Sequence, residues 1–209
     1  MDEQAVLGRD GFADLINVSR ETLQRLEAYV ALLIKWQATL NLVAPSTLAD
    51  VWRRHILDSA QVFALIDRPA EPLVDIGSGA GFPGLVLGIM GATALHMIES
   101  DARKCAFLRE AARITDTKAT IHNRRIEAVP GFAAATVTAR ALAPLTKLLD
   151  YAAPFLGSGG IALFLKGKTW DAELTEARLT WRMAARGHES LSDDSGMILR
   201  IEDLHRGPS

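Results

Sequence analysis

A glycine-rich segment is the part of this sequence with the clearest chemical potential. The segment Asp75–Gly81 reads DIGSGAG and follows directly on a short apolar run that begins at Leu73. Glycines adopt positive φ and let a ligand approach the backbone without a clash against a Cβ atom. Glu99 lies 22 residues after Gly77, where a carboxylate can accept hydrogen bonds from ribose hydroxyls. The pattern predicts a ligand that contains adenosine.

Two classes of cofactor fit this loop, and a purely structural turn is the third interpretation. The run Gly79–Gly84 matches the dinucleotide fingerprint G-x-G-x-x-G, a weak signal by itself. S-adenosylmethionine is favoured because Asp75 can orient the loop and receive the cationic methionine end, directly or through water. The same carboxylate would repel a pyrophosphate. Glycines at alternate positions and a helical segment before the loop also favour S-adenosylmethionine.

The elements expected to position this loop alternate between strand and helix. Apolar runs predict strands at 73–76, 94–99, 118–122, 134–139, 161–166 and 197–201. Helical patterns fall between them at 84–90, 102–114 and 144–155, with a further helix from Thr169 or Asp171 to about 186, and 156–160 is predicted to be a turn. Such alternation predicts an α/β fold with a parallel sheet covered on both faces.

The first third of the chain has a different, helical pattern. Ser19 is a suitable N-cap for a helix that runs to about Gln37. Thr47 and Asp50 form a capping-box signature for a second helix over 48–65. The proline-containing stretch 68–72 reads as a linker. We therefore expect an N-terminal helical cap over 1–70 and a catalytic domain over 71–209, together forming one compact unit.

Composition narrows the class of protein. Of 209 residues, 49% are hydrophobic and 23% are charged, which excludes a disordered or fibrous chain. No apolar run approaches the length of a membrane span, and the acidic start Met1–Gln4 leads into no secretory segment. The single cysteine, Cys105, supports no disulfide framework, and the histidines show no metal-ligand spacing. We expect a cytoplasmic protein without a metal, with Cys105 as a buried thiol.

Charge is distributed unevenly along the chain. The net charge is −2, yet 102–168 holds eleven Lys and Arg against four Asp and Glu. Such a segment suits a protein with one side that faces an anionic partner. The alternative is a set of basic residues scattered over solvated helix faces.

Several further motifs carry a resemblance to a known family. The pieces, in order, are Asn41-Leu42, RHILDS at 54–59, DIGSGAGFPG at 75–84, KCAFL at 104–108, RIE at 125–127, RALAPL at 140–145 and Lys166-Gly167. The chain resembles the bacterial small-subunit ribosomal RNA 7-methylguanosine methyltransferases, also called the glucose-inhibited division protein B family. The resemblance covers about 41–168, well over half the chain, and the GSGAGFPG and RAxAPL pieces are its most specific parts.

The resemblance implies both a fold and a reaction. The fold is the class I (Rossmann-like) S-adenosylmethionine methyltransferase fold, a seven-stranded, mostly parallel sheet with an N-terminal helical cap. The reaction is methylation of guanine N7 at one guanosine in the decoding-region loop of small-subunit ribosomal RNA. The partner is that RNA or the ribosomal subunit. At 99–104 the sequence departs from the consecutive lysines of many members, but Arg103 keeps the charge.

Site residues follow partly from the loop pattern and partly from the resemblance. Gly79 and Glu99 are expected to bind the cofactor on the loop pattern. The resemblance adds contacts to the same ligand by Gly77, Phe82, Ile126, Glu127 and Arg140. For Glu127 the alternative is an acid at a helix N-terminus, and for Arg140 it is a salt bridge to an acid of a loop.

The chemistry of guanine N7 explains why the sequence has no clear catalytic set. N7 has an in-plane lone pair and no proton, so its attack needs no general base, and alignment supplies most of the acceleration. A cytosine C5 methyltransferase would need a reactive cysteine. An exocyclic-amine enzyme would carry Asn/Asp-Pro-Pro-aromatic where this chain reads TARA at 138–141. Arg140 and His55 are candidates for positioning only.

Contacts to RNA are expected from Arg54, His55 and Lys166. The alternative for Arg54 is an ion pair with Asp58, four residues on in one helix, without a function. For Lys166 the alternative is a solvated position at the end of a strand, which explains this residue equally well. Two other functions stay open: a small-molecule methyltransferase on the same fold, and a non-enzymatic RNA-binding assembly factor.

Overall fold

The computed structural model describes residues 5–207. The acidic start Met1–Gln4, from which the sequence argued against a secretory segment, lies outside the described residues. Within the described range no helix has the length and apolar character needed to cross a membrane.

Two helices open the described chain. α1 spans Arg9–Leu15 and α2 spans Arg20–Gln37. The Ser19 hydroxyl oxygen accepts a hydrogen bond from the backbone N–H of Thr22 at 3.0 Å, so Ser19 is the N-cap that the sequence predicted. The short helix α1 was not predicted.

The predicted helix over 48–65 is helical but not regular. It begins as a 3-10 helix (Pro45–Asp50), widens to a π-helix (Trp52–Leu57), passes through α3 (Asp58–Ala60) and ends as a 3-10 helix (Gln61–Leu65). We call residues 45–65 the cap segment. Thr47 does not cap it, since its hydroxyl contacts Ala44 and His55 instead. Wide π turns are frequent at functional sites.

Seven strands form one sheet in the order β3-β2-β1-β4-β5-β7-β6. The strands are β1 (Leu73–Ile76), β2 (Leu95–Glu99), β3 (Ala119–Asn123), β4 (Ala134–Arg140), β5 (Leu156–Lys166), β6 (Trp181–Glu189) and β7 (Met197–Arg206). β1 to β5 pair in parallel, whereas β7 is antiparallel to both β5 and β6. The sheet is seven-stranded and mostly parallel, as expected.

The helices between the strands agree with the sequence except near the C-terminal end. They are α4 (Gly84–Met90), α5 (Ala102–Ile114), a 3-10 turn (Ile126–Ala128), α6 (Leu145–Ala152) and α7 (Trp170–Ala177). The helix predicted to reach about 186 ends at Ala177, and β6 follows it. The turn predicted at 156–160 is the first part of β5. Both extra stretches of strand gain hydrogen-bonded neighbours in the sheet, which local sequence patterns do not show.

Consecutive residues of the central strands face opposite sides of the sheet. Leu163 packs in the cluster beneath the cap, α4 and α5, while Phe164 packs in the cluster beneath α6 and α7. The first cluster also contains Leu26, Ile56 and Leu85. The cap therefore shares a hydrophobic core with one face of the sheet.

Candidate functional site

The glycine loop lies where the strand order reverses. β1 pairs with β2 on one side and with β4 on the other, and open α/β sheets bind ligands at this position. Gly77, Gly79 and Gly81 have φ values of +67°, +55° and +97°. A Cβ atom on Gly77 would lie 2.6 Å from Cδ1 of Leu142. The loop needs glycine for its backbone conformation and, at Gly77, for close packing.

Asp75 supports this loop from beneath and does not line a cavity. Its side chain is fully buried and accepts a hydrogen bond from Oγ1 of Thr138 at 2.7 Å. Burial raises the pKa of Asp75 to about 6, against the opposing effect of the Thr138 hydroxyl. Gly84 packs so closely on Asp75 that a Cβ there would lie 2.6 Å from the Cβ of Asp75. Asp75 was expected to orient the loop and to receive the methionine end directly or through water, and a direct contact does not agree with this burial.

Glu99 fixes the loop from the adjacent strand. Its Oε2 accepts a hydrogen bond from the backbone N–H of Gly79 at 2.9 Å, and its Oε1 accepts one from that of Asp101 at 2.7 Å. Each carboxylate oxygen keeps a second lone pair, and the side chain lines the cavity above the loop. The carboxylate can therefore position the loop and still accept two hydrogen bonds from a vicinal diol.

A cavity of about 390 Å³ opens above the glycine loop, and we call it the loop cavity. All seven predicted cofactor residues line it: Gly77, Gly79, Phe82, Glu99, Ile126, Glu127 and Arg140. They come from four separate parts of the chain. Tyr151 of α6 also lines the loop cavity and was missed, because nothing in the local sequence distinguishes it from other helix residues.

Arg140 is the last residue of β4, and cap residues hold its side chain. Its Nη1 donates to Oδ2 of Asp58 and to the main-chain carbonyl of Arg54, both at 3.0 Å. Its Nη2 bonds to Nδ1 of His55 at 2.9 Å, and its guanidinium carbon lies 4.8 Å from the centroid of the Phe82 ring. The salt bridge considered for Arg140 exists, but the acid lies in the cap segment and not in a loop.

The contacts of His55 define its protonation state. Nδ1 must accept from Arg140 because a guanidinium only donates. The proton therefore lies on Nε2, which is 2.7 Å from Oγ1 of Thr47. The ring also stacks on Phe82, with centroids 5.0 Å apart. Burial, followed by the charges of Arg140 and Arg54, lowers the pKa of His55 to about 3, so the imidazole is neutral.

A second cavity, of about 480 Å³, lies between the cap segment and the end of β5, and we call it the cap cavity. The three predicted RNA residues, Arg54, His55 and Lys166, all line it. It shares Leu42, Arg140 and Ala141 with the loop cavity. The two cavities are therefore neighbours, separated by these shared residues, which we call the Arg140 wall.

The pairing of Arg54 with Asp58, which was the alternative to an RNA contact of Arg54, does not form. Arg54 contacts Asp193 at 3.4 Å, and Asp58 pairs with Arg140 at 3.0 Å. Arg54 lies in the π-helix, where residues four apart do not face each other as they do in an α-helix. Asp58 instead meets the guanidinium of Arg140, whose side chain is only 16% exposed and is stabilised by a counter-charge.

The donor and acceptor set of the loop cavity fits S-adenosylmethionine. Glu99 offers acceptors for the ribose diol, Ile126 and Leu142 offer apolar surface for adenine, and Lys104 and Arg125 offer cations for the carboxylate. Among residues 5–207 no group of three or more His, Cys, Asp or Glu side chains is arranged to hold a metal ion. Cys105 is buried and its thiol donates to the main-chain oxygen of Glu99 at 3.2 Å, as expected for a structural cysteine.

Comparisons with known proteins agree with this geometry. The family model described as "GidB: rRNA small subunit methyltransferase G" matches residues 22–195. The ribosomal RNA small subunit methyltransferase G of Rhodospirillum rubrum is 55% identical over 94% of this chain and 98% of its own. The protein of the same name from Paramagnetospirillum magneticum is 55% identical over 91% and 93%.

A solved structure shows the same fold at low sequence identity. Magnesium protoporphyrin IX methyltransferase from Synechocystis PCC 6803, with bound S-adenosylmethionine, superposes with a TM-score of 0.61 at 14% identity. The match covers 88% of this chain and 97% of that one. With a matching family model and relatives at 55% identity over more than nine-tenths of its length, the chain belongs to the GidB family of small-subunit methyltransferases, which methylate ribosomal RNA with S-adenosylmethionine.

Proposed function

We propose that this protein methylates N7 of one guanosine in the decoding-region loop of small-subunit ribosomal RNA. The observation that carries the proposal is the pair of adjacent cavities. The loop cavity fits the cofactor, the cap cavity is lined by Arg54 and Lys166, each paired with a carboxylate, and the two cavities meet at Arg140. A methyl donor on one side of this wall and a base on the other would be neighbours.

The loop cavity would hold S-adenosylmethionine through the residues that line it. Glu99 would accept hydrogen bonds from the ribose hydroxyls. The side chain of Ile126 would pack against the adenine ring, and backbone groups of Ile126 and Glu127 would bind its edge. Gly77 and Gly79 let the ligand approach the backbone, and Phe82 packs beneath the reacting end. These roles rest on the lining of the cavity and on the hydrogen bonds of Glu99.

The protein would accelerate the transfer by alignment and by electrostatics. When bound, S-adenosylmethionine supplies a methyl group on a sulfonium sulfur, and that sulfur becomes neutral when the methyl leaves. The lone pair of guanine N7 forms the new bond, so no proton has to move and the positive charge passes to the base. Asp58 neutralises Arg140, which keeps this wall from repelling the charge that develops on guanine. His55 and Arg140 would position groups and not transfer protons.

The properties of the cap cavity favour RNA over a free small molecule. A small-molecule methyltransferase is expected to enclose its substrate in a mostly apolar pocket. Here the mouth is formed by Arg54 and Asp193, whose side chains are 46% and 40% exposed, so a base can enter while its backbone stays outside. The basic segment 102–168 would then face the phosphates.

The protein would act in the cytoplasm, without a metal, on RNA within the small ribosomal subunit. Its modest net charge of −2 predicts weak, salt-sensitive binding of naked RNA. Residues 1–70 would act as a cap on the methyltransferase unit 71–209, and the core shared by the cap and the sheet supports one compact unit.

The proposal is tested by methyl transfer followed by nucleoside analysis. Small subunits from cells that lack this gene are incubated with the protein and radiolabelled S-adenosylmethionine, and the RNA is digested. We expect label in 7-methylguanosine. Naked RNA is run in parallel, with less transfer expected. Absence of label from the RNA, while the protein still binds S-adenosylmethionine, would reject the proposal in favour of a small-molecule substrate or an assembly role.

A further inference from the structure

We propose that Asp193, in the loop between β6 and β7, selects guanine by accepting hydrogen bonds from its N1–H and its exocyclic amino group. Arg54, the present partner of Asp193, would move to a phosphate of the same RNA. This inference rests on the proposed function, because it names what recognises the base in the cap cavity. Asp193 lies outside the motifs from which the sequence indicated a site.

The cap cavity is lined by three cations and three carboxylates, joined as three ion pairs. The pairs are Arg140–Asp58, Lys166–Glu173 and Arg54–Asp193. A cavity balanced in this way suits a neutral base with donors and acceptors on its edges. A phosphate would favour an excess of positive charge.

The three pairs differ in tightness, and only one is suited to exchange. Lys166–Glu173 is 2.6 Å long with side chains 10% and 20% exposed, and Arg140–Asp58 is 3.0 Å long with 16% and 20% exposed. Arg54–Asp193 is 3.4 Å long between side chains that are nearly half exposed. An exposed pair at this distance contributes little stability, so a substrate can replace it at little cost.

Each of the three carboxylates accepts three hydrogen bonds, but Asp58 and Glu173 are held by shorter ion pairs between less exposed side chains than Asp193 is. Asp58 accepts from Arg140, from Oγ of Ser192 at 2.7 Å and from Nε2 of Gln61. Glu173 accepts from Lys166, from the backbone N–H of Leu145 at 2.7 Å and from Thr169. Oδ1 of Asp193 accepts within its own loop, and among residues 5–207 its Oδ2 has no hydrogen bond except the one from Arg54 at 3.4 Å. Oδ2 of Asp193 is therefore the acceptor of the cap cavity whose present partner a substrate can most easily replace.

The loop that carries Asp193 is held in place before any ligand binds. Oδ1 of Asp193 accepts from the backbone N–H and the hydroxyl of Ser195, at 2.9 and 2.7 Å. Leu191 donates its backbone N–H to Oε1 of Gln61 at 2.7 Å, and Ser192 donates to Asp58. These bonds fix the loop to the cap segment, and the carboxylate stands at the mouth of the cavity. A recognition group that is already oriented loses little freedom when it binds.

The position of Asp193 agrees with the two edges of guanine. N7 lies on one edge of the base, and N1 with the exocyclic amine lies on the opposite side. Asp193 lines the cap cavity but not the loop cavity, whereas Arg140 lines both. A base with N7 toward the Arg140 wall would turn its N1 edge away from that wall, which is where the carboxylate of Asp193 is available.

The carboxylate distinguishes guanine from adenine and also favours the transfer. Adenine has a lone pair at N1, and a carboxylate facing it would meet an acceptor and not a donor. When N7 gains the methyl group the guanine ring becomes positive, so its N1–H and amino hydrogens bind a carboxylate more strongly. Asp193 would then contribute more to the transition state than to the bound substrate.

The test compares guanosine with inosine, which lacks only the exocyclic amine. Small subunits are reconstituted with either nucleoside at the position that the wild-type protein methylates, and kcat/KM is measured for each. For the wild type we expect guanosine to be preferred by about tenfold or more, the range for one specific base contact. In Asp193→Asn the amide oxygen can still accept from Ser195. For this variant we expect a guanosine-to-inosine ratio of kcat/KM near one, and a kcat/KM on guanosine about tenfold or more below that of the wild type.

Arg54→Gln is the matched variant, since it breaks the same ion pair from the other side. We expect it to raise KM for the subunit and to keep the preference for guanosine. A wild-type ratio near one would overturn the inference without any variant. It would also be overturned if Asp193→Asn kept the wild-type ratio, or if both variants lost it, which would mean that the ion pair only holds the loop. Failure of the proposed function is distinguishable, because the wild-type protein would then form no 7-methylguanosine.

Discussion

His55 allows the electrostatics of the cap to be tested by stability alone. The substitution His55→Asn keeps an acceptor that can face Arg140 in place of Nδ1 and removes the titrating ring. Burial, with the charges of Arg140 and Arg54, lowers the pKa of His55 from 6.5 to about 3. The unfolded chain therefore binds a proton near pH 6.5 that the folded protein does not bind until the pH falls much further.

The change in the free energy of unfolding with pH follows from the difference between the folded and unfolded pKa values of His55. Because the pKa is lower in the folded state, the wild-type protein loses stability as the pH falls below about 6.5. At pH 5, which is about 1.5 units below the pKa of the unfolded imidazole, protonation stabilises the unfolded chain by about 2 kcal/mol. His96 and His122 shift in the same direction because burial lowers their pKa values, but they are present in both proteins and cancel in the comparison.

The assay is urea denaturation of both proteins at pH 7 and pH 5. We expect His55→Asn to lose about 2 kcal/mol less than the wild type over this interval. His205→Asn, at an exposed position of β7, is the control and should retain the wild-type dependence on pH. If His55→Asn loses as much stability as the wild type, the buried neutral imidazole described here is wrong.

Two further variants test the loop and the wall. Gly77→Ala should weaken S-adenosylmethionine binding measured by calorimetry, because the new Cβ would be strained at positive φ and would clash with Leu142. Gly159→Ala is the control, at φ +64° with open space around it, and should cost only about 1–2 kcal/mol of stability. Equal effects on cofactor affinity would contradict this reading. Asp58→Asn should slow single-turnover methyl transfer about tenfold or more, since the charge of Arg140 would no longer be neutralised; an unchanged rate would show that the pair has no electrostatic role.

Those parts of the site that depend on local sequence could be predicted. The DIGSGAG segment specifies a strand, a turn that requires positive φ and a helix start, and Glu99 follows at the end of the next strand. Parallel strands bring their carboxyl ends to one edge of the sheet, so residues from separate motifs meet there. The predicted cofactor residues do line a single cavity.

The parts that depend on contacts between distant segments could not be predicted. β6 largely alternates between less exposed and exposed residues, but its charged positions also fit the end of a solvated helix. Only the pairing with β7 decides between strand and helix. Arg54 meets Asp193, which is 139 residues away, because the cap segment widens to a π-helix and the β6–β7 loop folds against it. No spacing within the sequence indicates that contact, and for this reason Asp193 was missed.

We propose that the atom methylated is guanine N7, presented across the Arg140 wall. This proposal is tested most directly by reconstituting small subunits with 7-deazaguanosine at the target position, which replaces N7 by a C–H group and leaves the N1 edge unchanged. We predict that these subunits bind the protein as well as unmodified ones do and accept no methyl group from S-adenosylmethionine. Methyl transfer to the modified nucleoside would contradict the account, because another atom of the base would then be the acceptor.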